Sequence, residues 1–234
     1  MAANNRSQFM VPAWLHILSI VALLAGALCA AVIAWDEFRH PQQMWIMNLV
    51  WPLVALFGTL AVLFFYFRFG RSRSHSRKPM AVSVAEAAFH CGSGCTLGDI
   101  IAETLAYAFP AVAVWFGWQS LFGEKMFAVW VLDFIFAFAL GIAFQYFTIK
   151  PMRDLRPREA LVEALKADTL SLIAWQVGMY GLMAIAQFGI FRGVPLSAAT
   201  PEFWFMMQIA MIAGFATAYP VNWWLVKIGI KEPM

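Results

Sequence analysis

Ala85-Glu-Ala-Ala-Phe-His-Cys-Gly-Ser-Gly-Cys-Thr-Leu-Gly-Asp-Ile-Ile-Ala-Glu-Thr-Leu-Ala-Tyr107 concentrates most of the reactive chemistry of this chain. It holds two of the three cysteines, a histidine and the carboxylates of Glu86, Asp99 and Glu103. If the stretch is helical, Cys91, Cys95, Asp99 and Glu103 follow one another at four-residue steps and share a face. Each step drifts by about 40° on a 3.6-residue helix, so the four form a slanted stripe. The glycines decide whether that stripe is continuous. Gly92-Ser-Gly94 is poor helix material, while Ser83-Val-Ala-Glu86 and, more weakly, Thr96-Leu-Gly-Asp99 read as helix starts. The balance favours two helices meeting at a break, with both sulfurs above the N-terminus of the second.

The surroundings are apolar. Of 234 residues, 62% are hydrophobic and 12% charged, with mean hydropathy +0.72. A soluble domain carries about twice that charge. Eleven Trp and 22 Phe suit a surface facing lipid and its aromatic interface belts. The chain therefore reads as an all-α integral membrane protein, a single polytopic domain without a soluble part. Runs of about 20 apolar residues, the length that crosses a bilayer, place spans at 13–35, 44–67, 100–122, 127–147, 170–191 and 203–226. Cytoplasmic loops then cover 68–99 and 148–169. On this map 13 Lys and Arg lie on one side and three on the other, which orients six helices with both termini cytoplasmic. Spans 1 and 2, joined by the short connection 36–43, form an antiparallel hairpin. The first span is too long for a secretory signal core and is expected to be retained.

Outside the stretch, Asp133 lies two turns inside span 4, where a carboxylate is expensive. Pro157 opens a helix whose Glu159, Glu163, Lys166 and Asp168 read as solvated charges. Met179/Met183 and Met207/Met211 repeat the four-residue spacing in the last two spans. The basic run 68–79 anchors topology and touches anionic headgroups rather than nucleic acid.

His90, Cys91 and Cys95 supply thiolates and an imidazole, the donors that select Cu(I) or Zn(II). Zinc asks for four ligands, whereas these residues alone satisfy Cu(I). The spacing Cys-x-x-x-Cys is neither the zinc-ribbon nor the thioredoxin-type Cys-x-x-Cys. The metal set is thus His90, Cys91, Cys95, Asp99 and Glu103, with Glu86, Met179, Met183, Met207 and Met211 as weaker members. The expected function is soft-metal binding, and translocation, with lipid and a cytoplasmic metallochaperone as partners; no catalytic set is present. One alternative is a membrane thiol-redox protein using Cys91 and Cys95 with quinone or heme. Another is a non-catalytic scaffold in which the small residues serve close packing.

His90-Cys91-x-x-Gly94-Cys95-x-x-Gly98-Asp99, together with Tyr219-Pro220-x-Asn222-Trp223-Trp224-Leu225, resembles a family of bacterial multi-pass membrane proteins catalogued as a domain of unknown function. The resemblance runs from about Ala81 to the C-terminal region. It implies a bacterial inner-membrane location and a link to copper handling.

Overall fold

The computed structural model of the chain describes residues 11–71, 78–192 and 196–232. The N-terminal polar tail and the middle of the basic run lie outside these residues. The described chain is all-helical, with no strand. Its helices are α1 (Ala13–Arg39), α2 (Met47–Phe65, continued by a π-helical turn Tyr66–Gly70), α3 (Met80–Ala108), α4 (Ala111–Trp115), α5 (Lys125–Arg153), α6 (Pro157–Ala184, continued by a π-helical turn Ile185–Ile190) and α7 (Pro201–Lys227). Five segments are long and apolar enough to cross a membrane: Ala13–Arg39, Met47–Gly70, Lys125–Lys150, Pro157–Ile190 and Pro201–Lys227. This is a multi-pass membrane protein. Large apolar side chains such as Trp14, Ile17, Leu24, Leu28 and Phe64 are exposed on its perimeter, as a lipid-facing surface requires.

α3 is not the expected span over residues 100–122. It begins right after Pro79, three residues ahead of the Ser83 start signal, and ends at Phe109-Pro110. It also runs unbroken through Gly92 and Gly94. These glycines are notches, not breaks. A Cβ on Gly92 would collide with the Trp175 indole, one on Gly94 would sit 2.7 Å from the Gly141 Cα, and one on Gly98 would sit 2.7 Å from the Ala137 Cα. Helix propensity disfavours glycine by about 1 kcal/mol per residue, but close backbone approach between helices outweighs it here. Gly94 and Gly98 on α3 face Gly141 and Ala137 on α5, a small-xxx-small pair on each helix. α3 and α5 are therefore antiparallel, as the Lys125 Nζ bond to the Ala106 carbonyl (2.9 Å) and the Thr148–His90 contact (3.5 Å) also require. α3 lies alongside α5 for nearly its full length and is buried among α2, α5, α6 and α7.

α2 is long enough to cross, yet it turns back. Thr59, with φ 46° and ψ −128°, interrupts it next to Gly58. In a straight helix Trp51 and Tyr66 would be about 22 Å apart; their rings are 5.5 Å apart, and Trp51 also packs on Phe65 at 6.0 Å. Gly70 lies against the Trp51 indole. The returning arm is tied to the end of α1: Asp36 accepts hydrogen bonds from Tyr66 Oη (2.9 Å) and Arg71 (2.8 Å), and Gln42 Nε2 donates to the Gly70 carbonyl (3.1 Å). α2 is a helical hairpin that enters and leaves at one end of the bundle. Its tip reaches the interior, where Phe57 packs on Trp175 at 5.7 Å and the Leu56 carbonyl accepts a bond from Gln208 Nε2 at 2.6 Å.

This overturns the expected antiparallel pairing of two full spans. The start of α1 is joined to the start of α7 by His16–Glu202 (2.7 Å). The end of α1 lies at the opposite end of the bundle, with Trp45 packed on Phe147 near the end of α5 (5.3 Å). That same end holds the start of α3 and the tail after α7, through the Lys231 Nζ bond to the Ala87 carbonyl (3.4 Å) and Tyr219 Oη to the Ala81 carbonyl (3.2 Å). The start of α1 and the end of α7 therefore face opposite ways. The expected arrangement, with both ends of the bundle's chain on one side, is not supported by these contacts.

Candidate ion site along α3

α3 and α6 run parallel, with Ala87 level with the Asp168–Lys231 pair and Gly92 against Trp175. Together with antiparallel α5 they enclose a polar lane. His90, Cys91, Cys95, Asp99 and Glu103 line it in order from α3, and none of them faces lipid: the first four are fully buried and Glu103 nearly so. α5 contributes Asp133 and Thr148, and α6 contributes Asp168 and Tyr180.

The residues singled out from sequence separate into levels. His90 Nε2 lies 3.5 Å from Thr148 Oγ1. The Cys95 thiol lies one helical turn from that of Cys91 on the same face of α3 and within electrostatic reach of Asp99 and Asp168. Among the described residues, Asp99 has no hydrogen-bond partner at either carboxylate oxygen, nor does Asp133, although both are fully buried. Asp133 is within electrostatic reach of Glu103 and Asp99, and Tyr180 of all three and of Cys95. The Tyr180 hydroxyl itself donates to the Trp130 carbonyl (2.9 Å), its ring stacked on Trp130 at 4.6 Å. Both amide atoms of Gln176 are likewise buried without a partner. Native interiors leave few such groups unpaired, so the Asp99 and Asp133 carboxylates in one lane mark a place where polar capacity is held open.

Two cavities adjoin the lane. One of about 280 Å³ lies between the tip of the α2 hairpin, α1, α3 and α7, and is lined by Asp99, Thr96, Met207, Met211, Gln208 and Leu56 among others. The second, about 230 Å³, brings Glu103, Tyr107, Lys125 and Met183 together at the end where α5 begins. The methionine pairs thus divide. Met207 and Met211 share the Asp99 cavity, with Met211 sulfur accepting a bond from Trp175 Nε1 (3.3 Å). Met183 lines the Glu103 cavity and Met179 is packed in the apolar core. Glu86 bonds Lys78 at 2.6 Å instead of joining the lane. Among the described residues, no three His, Cys, Asp or Glu side chains converge closely enough to hold a metal ion.

Asp168 corrects the sequence reading most sharply. It is not a solvated charge: it is completely buried and paired with Lys231 Nζ at 2.6 Å, itself completely buried. Small buried residues at four-residue spacing, Ala160 and Ala164, lead to it along α6. That stripe was the available signal, and it was masked by the charges on the opposite face.

A family described as a domain of unknown function (DUF4396) matches residues 81–231. The chain belongs to the DUF4396 family. No curated protein and no solved structure matches it. The DUF4396 match begins at the first turn of α3 and ends at Lys231. It therefore contains the whole polar lane and both partners of the buried ion pair, while α1 and the α2 hairpin precede it.

Proposed function

We propose that this DUF4396 protein binds a cation inside the helical bundle and passes it along α3, with Cu(I) as the cargo. The observation that carries the reading is Asp99: a fully buried carboxylate with no hydrogen-bond partner at either oxygen among the described residues, in the wall of a cavity whose lining also includes Met207 and Met211. An ionised carboxylate in such a place costs several kcal/mol unless a positive charge compensates it, and groups of this kind inside membranes serve ion or proton movement. The donor types suit a soft monovalent ion. The adjoining thiols of Cys91 and Cys95 offer Cu(I) two ligands, and the thioethers of Met207 and Met211 lie farther along. Zinc, which asks for four ligands, finds no such set among the described residues.

The basic end of the bundle orients it. Eleven of the described Lys and Arg side chains belong to the end where α3 begins, against Lys125 and Arg192 at the other, so the positive-inside rule puts that end in the cytoplasm. In this reading α1, α3, α5, α6 and α7 cross, α2 re-enters from the cytoplasmic side, and α3 is the buried central crossing. The location is a bacterial inner membrane, and a cytoplasmic metallochaperone delivers to the end nearest Cys91.

Copper quantified in protein purified from copper-loaded cells tests this. Wild type is expected to retain Cu(I) that the Cys91→Ser/Cys95→Ser double variant loses, and Asp99→Asn to bind yet fail to release it across proteoliposomes. Equal copper in wild type and the double variant refutes the reading. Two neighbouring buried thiols also admit a redox role, but two cysteines four apart on an unbroken helix hold their side chains poorly for a disulfide. Recovery of a Cys91–Cys95 disulfide from oxidant-treated cells would favour that role instead.

A further inference from the structure

The chain following α7 does not trail into solvent. Gly229, with φ +76°, turns it back, and the amides of Ile230 and Lys231 bond the Leu225 carbonyl at 3.0 and 3.2 Å. The hook drives Lys231 into the cytoplasm-facing end of the bundle. Its ammonium reaches Asp168 Oδ1 (2.6 Å) and the Ala87 carbonyl (3.4 Å), while Asp168 Oδ2 has no partner. Ala87 is one helical turn before Cys91, and the charges of Lys231 and Asp168 are felt at His90 and Cys95 respectively. Outside, the solvent-accessible pair Arg153–Glu232 (2.6 Å) fastens the hook.

We infer that Asp168 is a cation-binding site at the inner mouth of the lane and that Lys231 is its tethered occupant, a plug that an incoming monovalent cation displaces. The inference rests on the lane being a cation path. Two features distinguish the pair from a staple. Burying two full charges is no more stabilising than filling the same space with apolar side chains. And the segment that carries the charge is a short non-helical hook with exposed Ile228 and Ile230, the kind of element that opens locally at low cost. The ammonium stands against the Ala87 carbonyl, one helical turn from Cys91 at the end of α3 nearest the thiols.

The test is the rate at which a water-soluble maleimide alkylates each cysteine of the full-length protein in lipid nanodiscs, read by mass spectrometry. Cys29, buried in α1, reports unfolding. Lys231→Met is expected to accelerate labelling of Cys91 and Cys95 on the order of tenfold, as loss of a local closure would, with Cys29 unchanged. If that variant also exposes Cys29, Asp168→Asn/Lys231→Gln, which leaves neither charge buried alone, is scored in its place. Unaltered rates, or exposure of all three cysteines in both variants, overturn the inference. Faster labelling without any Cu(I) retention by wild type keeps the plug and removes the metal cargo, so the two failures are distinguishable.

Discussion

At the scale of single residues, glycine carries opposite meanings at positions that look alike in sequence. Gly98 has no room for a methyl group, because the Ala137 backbone occupies its place, whereas nothing lies within 4 Å of a Cβ built on Gly181. Gly98→Ala should therefore lower stability by about 1–3 kcal/mol through overpacking. Gly181→Ala should raise it by about 0.5–1 kcal/mol by removing freedom from the unfolded chain. Thermal unfolding of the two variants in detergent, followed by intrinsic fluorescence, checks the pair. Shifts of the same sign would refute the notch reading. The stripe Cys91, Cys95, Asp99, Glu103 was legible because four-residue spacing is a property of the helix alone. Its continuity was not, because the reason Gly92 and Gly94 stay helical lies on other helices, in Trp175 and Gly141. Asp168 was misread for a related cause: its partner Lys231 is 63 residues away, and no local pattern announces a buried pair.

At the scale of elements, the helix opened by proline at 157 was recovered. Pro157 starts α6 where proline at a first turn predicts, and Pro201 opens α7 in the same way. The α2 hairpin was invisible because its turn is made by Thr59 in a left-handed conformation that a β-branched residue rarely adopts, in a run as apolar as any true span. What holds that conformation is tertiary: the Asp36 carboxylate ties both Tyr66 and Arg71 of the returning arm to α1. Tyr66→Phe deletes one of these bonds without changing shape and leaves Asp36 bonded to Arg71. It should cost about 1–2 kcal/mol. Asp36→Ala, which releases both partners, should cost more than that, and the two together should cost no more than Asp36→Ala alone, since they share one acceptor. A double-mutant cycle on the melting temperature measures this; full additivity would mean the Asp36–Tyr66 bond does not hold the hairpin.

At the scale of the whole molecule, the count of basic residues could not separate six crossings from five crossings and a hairpin. Moving the α1–α2 connection to the other end brings Arg39 to the basic side in exchange for Arg6, which precedes α1, so the asymmetry that orients the bundle survives either way. Contacts between distant residues favour the hairpin, and they make a topological prediction that the two arrangements answer oppositely. Single cysteines introduced at Gln43, in the α1–α2 connection, and at Arg158, at the start of α6, should be modified by an impermeant thiol reagent from the same side of the membrane. A cysteine at Ser197, before α7, should be modified from the other. In a bundle of six full crossings, Gln43 and Ser197 would share a side and Arg158 would stand apart. The cytoplasmic assignment predicts that Gln43 and Arg158 are blocked in intact cells and open in inverted vesicles. Because α1 then enters from the side opposite to the hook that ends in Lys231, a reporter fused ahead of Ala13 and one fused after the hook should report opposite compartments. Agreement of the two reporters would return α2 to a full crossing, and with it would go the hairpin tip that walls the Asp99 cavity.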